Sequence, residues 1–124
     1  MRKYEISFDY AELTRVLRAM WPENRAILAV AYHTGLPVSR IVALKPEELT
    51  GSDLHVRGVR YRLPLDLAAV LRRIQSRWYI FPHRVRSRGH RTRRAVFKDL
   101  RRACKAVGAT HVYTPGYFSS LYWQ

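Results

Sequence analysis

The sequence predicts a mainly α-helical domain carrying one small β-hairpin or sheet, and three observations predict it. Apolar residues recur at helical spacing along most of the chain, the period falls to two only across residues 54–63, and 124 residues suffice for a single domain, 1–124, rather than two. Apolar side chains make up 48% of the chain, enough to fill a core, which sets it apart from a solvated basic tail.

Taken in order, Leu13, Val16, Leu17 and Met20 recur at i, i+3, i+4, i+7 and predict an amphipathic helix over about 8–20, with Ser7 as its cap and Trp21-Pro22 as its break. The next helix, about 23–34, is apolar nearly all round and therefore central, and Gly35 follows where a left-handed residue would end it. Pro37 suits the first turn of a short helix, 37–44, closed by Lys45-Pro46. Leu54-His55-Val56-Arg57 and Val59-Arg60-Tyr61-Arg62-Leu63 alternate around Gly58 and predict a hairpin with its arginines on one side. Leu67, Val70, Leu71 and Ile74 return to helical spacing. Trp78-Tyr79-Ile80-Phe81 reads as a short strand ended by Pro82, and His83 to Arg91 as a basic loop. A long helix follows over about 92–107, opening at Thr92 and stopping before Gly108, and Pro115 starts a terminal helix.

Charge is distributed unevenly over this frame. Residues 1–53 hold seven basic and seven acidic side chains, whereas 54–124 hold sixteen basic against Asp66 and Asp99, so the whole net charge of +14 lies in the second half. A surplus of that kind is relieved by a polyanion, and nucleic acid is the first candidate. A membrane is not indicated, because the longest apolar run, Ala26 to Tyr32, falls far short of the roughly 20 residues that span a bilayer. The N-terminal Met-Arg-Lys-Tyr-Glu lacks the apolar stretch of a signal peptide, and Cys104 has no second cysteine to pair with, so a cytoplasmic protein is expected. The histidines, His33, His55, His83, His90 and His111, have no C-x-x-C partner or i, i+4 pairing, so neither a metal nor another cofactor is expected. Cys104 reads as a small core residue.

The 92–107 segment is the most informative. Val96, Leu100, Ala103 and Val107, with Phe97 and Cys104, form an inner stripe, while Arg94, Lys98, Arg101 and Lys105 fall within about 60° of one another on the outside. Arg84, Arg86, Arg88, Arg91 and Arg93 precede this ridge, and no acidic residue lies between Asp66 and Asp99. A solvated face usually mixes its signs, so the pattern favours a binding face. A helix with arginines near its N-terminal end suits the major groove of double-stranded DNA. Sequence-selective RNA modules instead show aromatics on an open sheet, and the hairpin carries only Tyr61.

The stretch Ala31-Tyr32-His33-Thr34-Gly35-Leu36-Pro37-Val38-Ser39-Arg40-Ile41-Val42-Ala43-Leu44-Lys45 resembles the T-G-L-R-I-S-E-L-x-A-L segment of tyrosine recombinases, the phage integrase family. The order of parts is also similar: a basic hairpin ending in Leu63-Pro64-Leu65, a helix, a strand ending in Phe81-Pro82, a helix containing Thr92-Arg93-Arg94-Ala95, and Thr114-Pro115, which in the family introduces H-x-L-R-H. The similarity runs over nearly the whole chain. It implies a fold like the recombinase catalytic domain, lacking the C-terminal nucleophile segment.

The family's catalytic residues do not carry over. Pro37 stands where the first catalytic arginine would be, Arg40 where glutamate is common, Gly116 at the histidine of H-x-x-R, and Ser119, followed by Ser120, at the second arginine. The sequence stops at Gln124, ahead of where the family places its downstream His/Trp and its tyrosine, and the separate N-terminal clamp domain of such enzymes has no counterpart either. Tyrosine attack on a phosphodiester builds charge that the two arginines would meet, and losing one such stabiliser costs about 10²–10³ in rate. Arg57, Arg60 and Arg62 of the hairpin stand where the family uses a lysine as general acid, a role that an always-protonated guanidinium serves poorly.

DNA binding would survive these losses. By resemblance, Arg94 would read bases in the major groove while Thr92, Arg93 and Lys98 flank it on phosphates; the alternative for Arg94 is an electrostatic contact without base preference. Tyr113, Tyr117, Phe118, Leu121, Tyr122 and Trp123 make the C-terminal segment aromatic, suited to folding back on the core or to docking on another protomer or partner, as the corresponding segment of recombinases does in trans. The expectation is a catalytically inactive, recombinase-like double-stranded DNA-binding protein serving as a transcriptional or accessory regulator of a mobile element, plasmid or phage. The alternatives are a minimal strand-transfer enzyme using Tyr117 or Tyr122, and a nonspecific basic nucleic-acid-binding protein.

Overall fold

A computed structural model describes residues 10–86 and 88–122. Helix α1 (Tyr10–Ala19) buries Leu13 and Val16, with Met20 just beyond its end; the expected cap Ser7 and the helix start at residues 8–9 lie outside the described residues. Pro22 opens α2 (Pro22–Thr34), where its missing N–H costs nothing. Ala26, Ile27, Leu28, Val30 and Ala31 are all buried, as the all-round apolar pattern requires of a central helix. Gly35 ends α2 in the left-handed conformation (φ 72°), its N–H bonded to the Ala31 carbonyl.

Helix α3 (Val38–Ile41) is shorter than the 37–44 expected. Pro37 caps it from outside, and the remainder continues as single turns from Ala43 N–H to Arg40 O and from Leu44 N–H to Ile41 O. A 3₁₀ turn at Pro46–Glu48 leads into an antiparallel sheet of β1 (Leu49–Thr50), β2 (Asp53–Val56) and β3 (Val59–Arg62), in that order. The hairpin is the one expected, whereas β1 adds a strand that its two residues do not announce. Arg57 and Gly58 both have positive φ (51° and 78°), the requirement of a two-residue turn whose twist matches its strands. Leu54 and Val56 face the core, and register pairs Asp53 with Arg62 and His55 with Arg60 on the other face.

Helices α4 (Leu65–Ile74), α5 (Arg93–Val107) and α6 (Pro115–Tyr122) complete the chain, so the architecture is mainly helical with a three-stranded antiparallel sheet. The main helix pairings are α6 against α2 and α5 against α1. Tyr117 and Phe118 of α6 join the core, so this aromatic helix folds back on its own chain; Trp123 lies outside the described residues.

Residues 78–81 do not form the expected strand. Ser76 Oγ accepts from the Trp78 and Tyr79 amides at 3.1 Å each, and the Ser76 N–H reaches the Tyr79 carbonyl at 2.9 Å, so a tight turn takes the donors a sheet ladder would use. Ile80 then donates to the Leu44 carbonyl, and Pro82 makes an isolated bridge with His90.

Candidate nucleic-acid interface

Helix α5 is built by its two faces. Thr92 caps it, its Oγ1 accepting from the Ala95 amide at 3.1 Å. Val96, Leu100 and Ala103 are fully buried and press the helix onto the core, with Phe97, Cys104 and Val107 partly covered beside them. On the outside Arg94, Lys98, Arg101 and Lys105 are all exposed, and none is ion-paired among the described residues. Arg101 lies over the Phe97 ring, 5.9 Å from its centroid.

The helix's own carboxylate, Asp99, points inward and is 6% exposed. It accepts from the Trp21 N–H at 2.9 Å, Asn24 Nδ2 at 2.8 Å and Arg102 at 2.7 and 3.1 Å, while Arg102 also reaches the Ala19 carbonyl at 2.7 Å. This anchor ties α5 to the α1–α2 junction and removes the one acid of α5 from the ridge. Sequence patterning shows only the i, i+3 pair with Arg102; the partners that tie Asp99 to the α1–α2 junction lie 75 and 78 residues away.

A second buried carboxylate, Glu12, performs the same service behind α5. It accepts from the Thr110 N–H and Oγ1, the His111 N–H and the Tyr113 hydroxyl, and pairs with His111 Nδ1 at 3.0 Å. The Thr110 amide contributes most to lowering its pKa to about 2, against the opposing effect of burial, with His111, the Thr110 hydroxyl and Tyr113 adding to the lowering. Burial pushes the Cys104 thiol up, consistent with a small core side chain rather than a reactive one.

The basic loop before α5 is organised rather than free. His83 Nδ1 accepts from the Val85 and Arg86 amides at 3.1 Å each, and the His83 N–H reaches the Gly89 carbonyl at 2.9 Å. Gly89 packs closely there: a Cβ would stand 3.3 Å from both the His83 and Arg86 Cβ atoms, so any larger residue would push the loop apart by a few tenths of an ångström. Arg84, Arg86 and Arg88 are exposed, Arg84 lying over the Trp21 ring at 4.5 Å. Arg91 departs from the expected set. It is 7% exposed and its N–H is bound to the Phe81 carbonyl, with no partner for Nε among the described residues. Burial lowers its pKa most, opposed by Glu23 and Asp99 and assisted by Arg84. It is an interior cation and does not stand on the outer face.

Arg60 and Arg62 project from β3 but share one carboxylate, Asp53, at 3.7 and 3.5 Å. That partial neutralisation makes the hairpin a weaker cationic surface than α5. Arg57 occupies the turn.

Pro37 and, from a distant part of the chain, Gly116 and Ser119 of α6 line one cleft of about 210 Å³ together with Arg93 and Ser39. Ser119 Oγ donates to the Leu36 carbonyl at 2.8 Å, and Arg93 is the one cation among the described lining residues; Arg40 is not among them. Tyr117 is 3% exposed, edge-on to both Tyr113 and Phe118. Tyr122 is exposed at the far end of α6.

Among the described residues no group of three or more His, Cys, Asp or Glu side chains is placed to hold a metal ion, and no helix is long and apolar enough to cross a membrane. Comparison of the chain with protein-family models, curated proteins and solved structures finds no match.

Proposed function

We propose that this chain binds double-stranded DNA through α5 and the 83–90 loop, with recombinase-like architecture and no recombinase chemistry, as a transcriptional or accessory regulator of a mobile element. One observation carries the binding reading: the four outer cations of α5 are exposed and without ion pairs among the described residues, while Asp99 of the same helix is buried as an anchor. Cations left unneutralised on one rigid ridge gain most from phosphates, because each contact releases condensed counterions. Arg94 in the first turn of α5 is the base-reading candidate, with Thr92, Arg93 and Lys98 beside it on the backbone.

The 210 Å³ cleft supports the resemblance from another direction. The positions matched to the family's Arg, His and Arg come from two separate segments, residue 37 and residues 116–119, yet they line one surface, as parts of a former catalytic centre would. Proline, glycine and serine there supply no cation for a pentacoordinate phosphate, and Tyr117 is packed in the core rather than aimed at the cleft.

Binding of labelled duplex DNA, followed by anisotropy at moderate salt, tests the reading. Arg94→Ala with Lys98→Ala is expected to weaken binding, and log K for the wild type is expected to fall with log[salt] at about −0.9 for each of roughly six to ten phosphates. Unchanged affinity in the double variant refutes the face. A covalent protein–DNA adduct with nicked suicide substrates refutes the absence of chemistry, and equal binding to duplex DNA and RNA refutes the DNA preference.

A further inference from the structure

A second aromatic–cationic feature lies outside the α5 ridge. Lys45, Glu47, Arg77, Trp78, Tyr79 and Arg88 line an open cup of about 380 Å³. Trp78 is 43% exposed at its edge. The Arg77 and Arg88 guanidinium carbons stand 5.5 and 5.2 Å from the indole centroid. Both guanidinium groups lie over the indole, yet beyond the roughly 3.5–4 Å of flush stacking, so a base takes the face by displacing them toward its own flanking phosphates. Lys45, Arg77 and Arg88 are free of ion pairs among the described residues, and they outnumber the single carboxylate, Glu47.

The turn that carries the indole is fixed by backbone hydrogen bonds. Ser76 Oγ takes the Trp78 and Tyr79 amides, which fixes the turn that carries Trp78, and Tyr79 packs edge-on against His90 at 4.9 Å. An exposed aromatic on a rigid turn, ringed by cations, is the arrangement that single-stranded nucleic acid uses: a base stacks on the ring and the flanking phosphates meet the cations. Ordering in advance lowers the entropic cost of capture.

We infer that the Trp78 cup seats an unpaired base of single-stranded DNA, its neighbouring phosphates held by Lys45, Arg77 and Arg88. Arg88 belongs to the same 83–91 loop that leads into α5, so a duplex with a single-stranded extension is the ligand that would engage both cup and ridge. That joint engagement rests on the proposed duplex binding by α5; the cup itself does not, because single-stranded DNA alone should occupy it.

Three DNAs separate the two claims: a thymidine oligomer of about twelve nucleotides, a blunt duplex, and the same duplex with a thymidine overhang, each titrated by anisotropy. The wild type is expected to bind the overhang duplex more tightly than the blunt one. Trp78→Ala is expected to weaken the oligomer and overhang complexes by about 5- to 150-fold while leaving the blunt duplex unchanged. Trp78→Phe, which keeps a stacking face, should retain most of the affinity. Tryptophan emission provides an independent readout in the folded wild type: the oligomer should quench it, and the quenching should disappear in Trp78→Phe but persist in Trp21→Phe. Equal binding of blunt and overhang duplexes overturns the cup, as does quenching that survives Trp78→Phe or a Trp78→Ala loss shared equally by all three DNAs. Loss of blunt-duplex binding in the wild type overturns the α5 reading while leaving the oligomer result to judge the cup.

Discussion

Replacing Asp99 with alanine tests whether the α5 ridge is held in place by a charge that does not itself bind DNA. The carboxylate accepts four hydrogen bonds, and they are unequal. Two come from Arg102, whose side chain is 52% exposed and keeps its bond to the Ala19 carbonyl, so water replaces most of what it loses. The other two come from the Trp21 N–H and from Asn24, which is 2% exposed and already has an unpartnered Oδ1. Hydrogen bonds to a charged acceptor contribute about 1.5–3 kcal/mol each, so these two losses amount to about 3–6 kcal/mol. Against a typical stability of about 5–15 kcal/mol, that is a large fraction. At about 3–5 °C per kcal/mol for a domain of this size, thermal denaturation by circular dichroism should show Tm falling by about 10–30 °C. Arg102→Ala should cost about 1 kcal/mol and only a few degrees. The reasoning fails if Asp99→Ala lowers Tm by less than about 3 °C, or if Arg102→Ala is equally damaging.

Glu12, with a folded pKa of about 2 against an ordinary 4.5, adds stability that is complete above about pH 4.5 and is lost as pH falls toward 2. Urea denaturation of wild type and Glu12→Gln across pH should therefore show a gap that is constant near neutrality and closes over that window; a gap independent of pH would contradict the assignment. Asp53→Asn releases Arg60 and Arg62 from their shared carboxylate, and duplex affinity should rise with a salt slope steeper by up to about 0.9 per added phosphate contact if the hairpin lies along DNA. No change would place the hairpin off the interface. His83→Ala removes the acceptor of the Val85 and Arg86 amides, whose hydrogen exchange should speed up about five- to tenfold while amides of α2 are unaffected.

What the sequence made legible was what neighbouring residues decide. The α5 stripe and ridge, the left-handed Gly35 and the Gly58 hairpin follow from periods and turn chemistry within a few residues, and the structure carries each of them. The expected strand at 78–81 failed for an equally local reason, one that a hydrophobic pattern does not display: Ser76 Oγ competes for the amides. Long-range partners account for the rest. Nothing near Arg91 distinguishes it from Arg88, yet one is interior and the other exposed, because burial depends on how the loop passes Phe81. Glu12 finds its partners 98 to 101 residues away, at the joint between α5 and α6.

The placement of acids explains why the charge of +14 is usable rather than merely destabilising. Glu12 and Asp99 are interior, each organised by amide, hydroxyl or amino donors, and Asp53 is drawn to the hairpin arginines. These three carboxylates thus work where they hold the fold, and the outer cations of α5 have no carboxylate partner among the described residues. On the helical wheel Asp99 lies about 130° from the centre of the Arg94–Lys98–Arg101–Lys105 ridge, so anchor and ridge occupy different sides of one rigid element. Stability and binding are therefore separable on a single helix. Neutralising Lys98 or Lys105 relieves self-repulsion and should leave the melting temperature unchanged or slightly raised while weakening DNA binding; neutralising Asp99 should lower the melting temperature while leaving affinity largely intact, provided affinity is measured well below its melting transition.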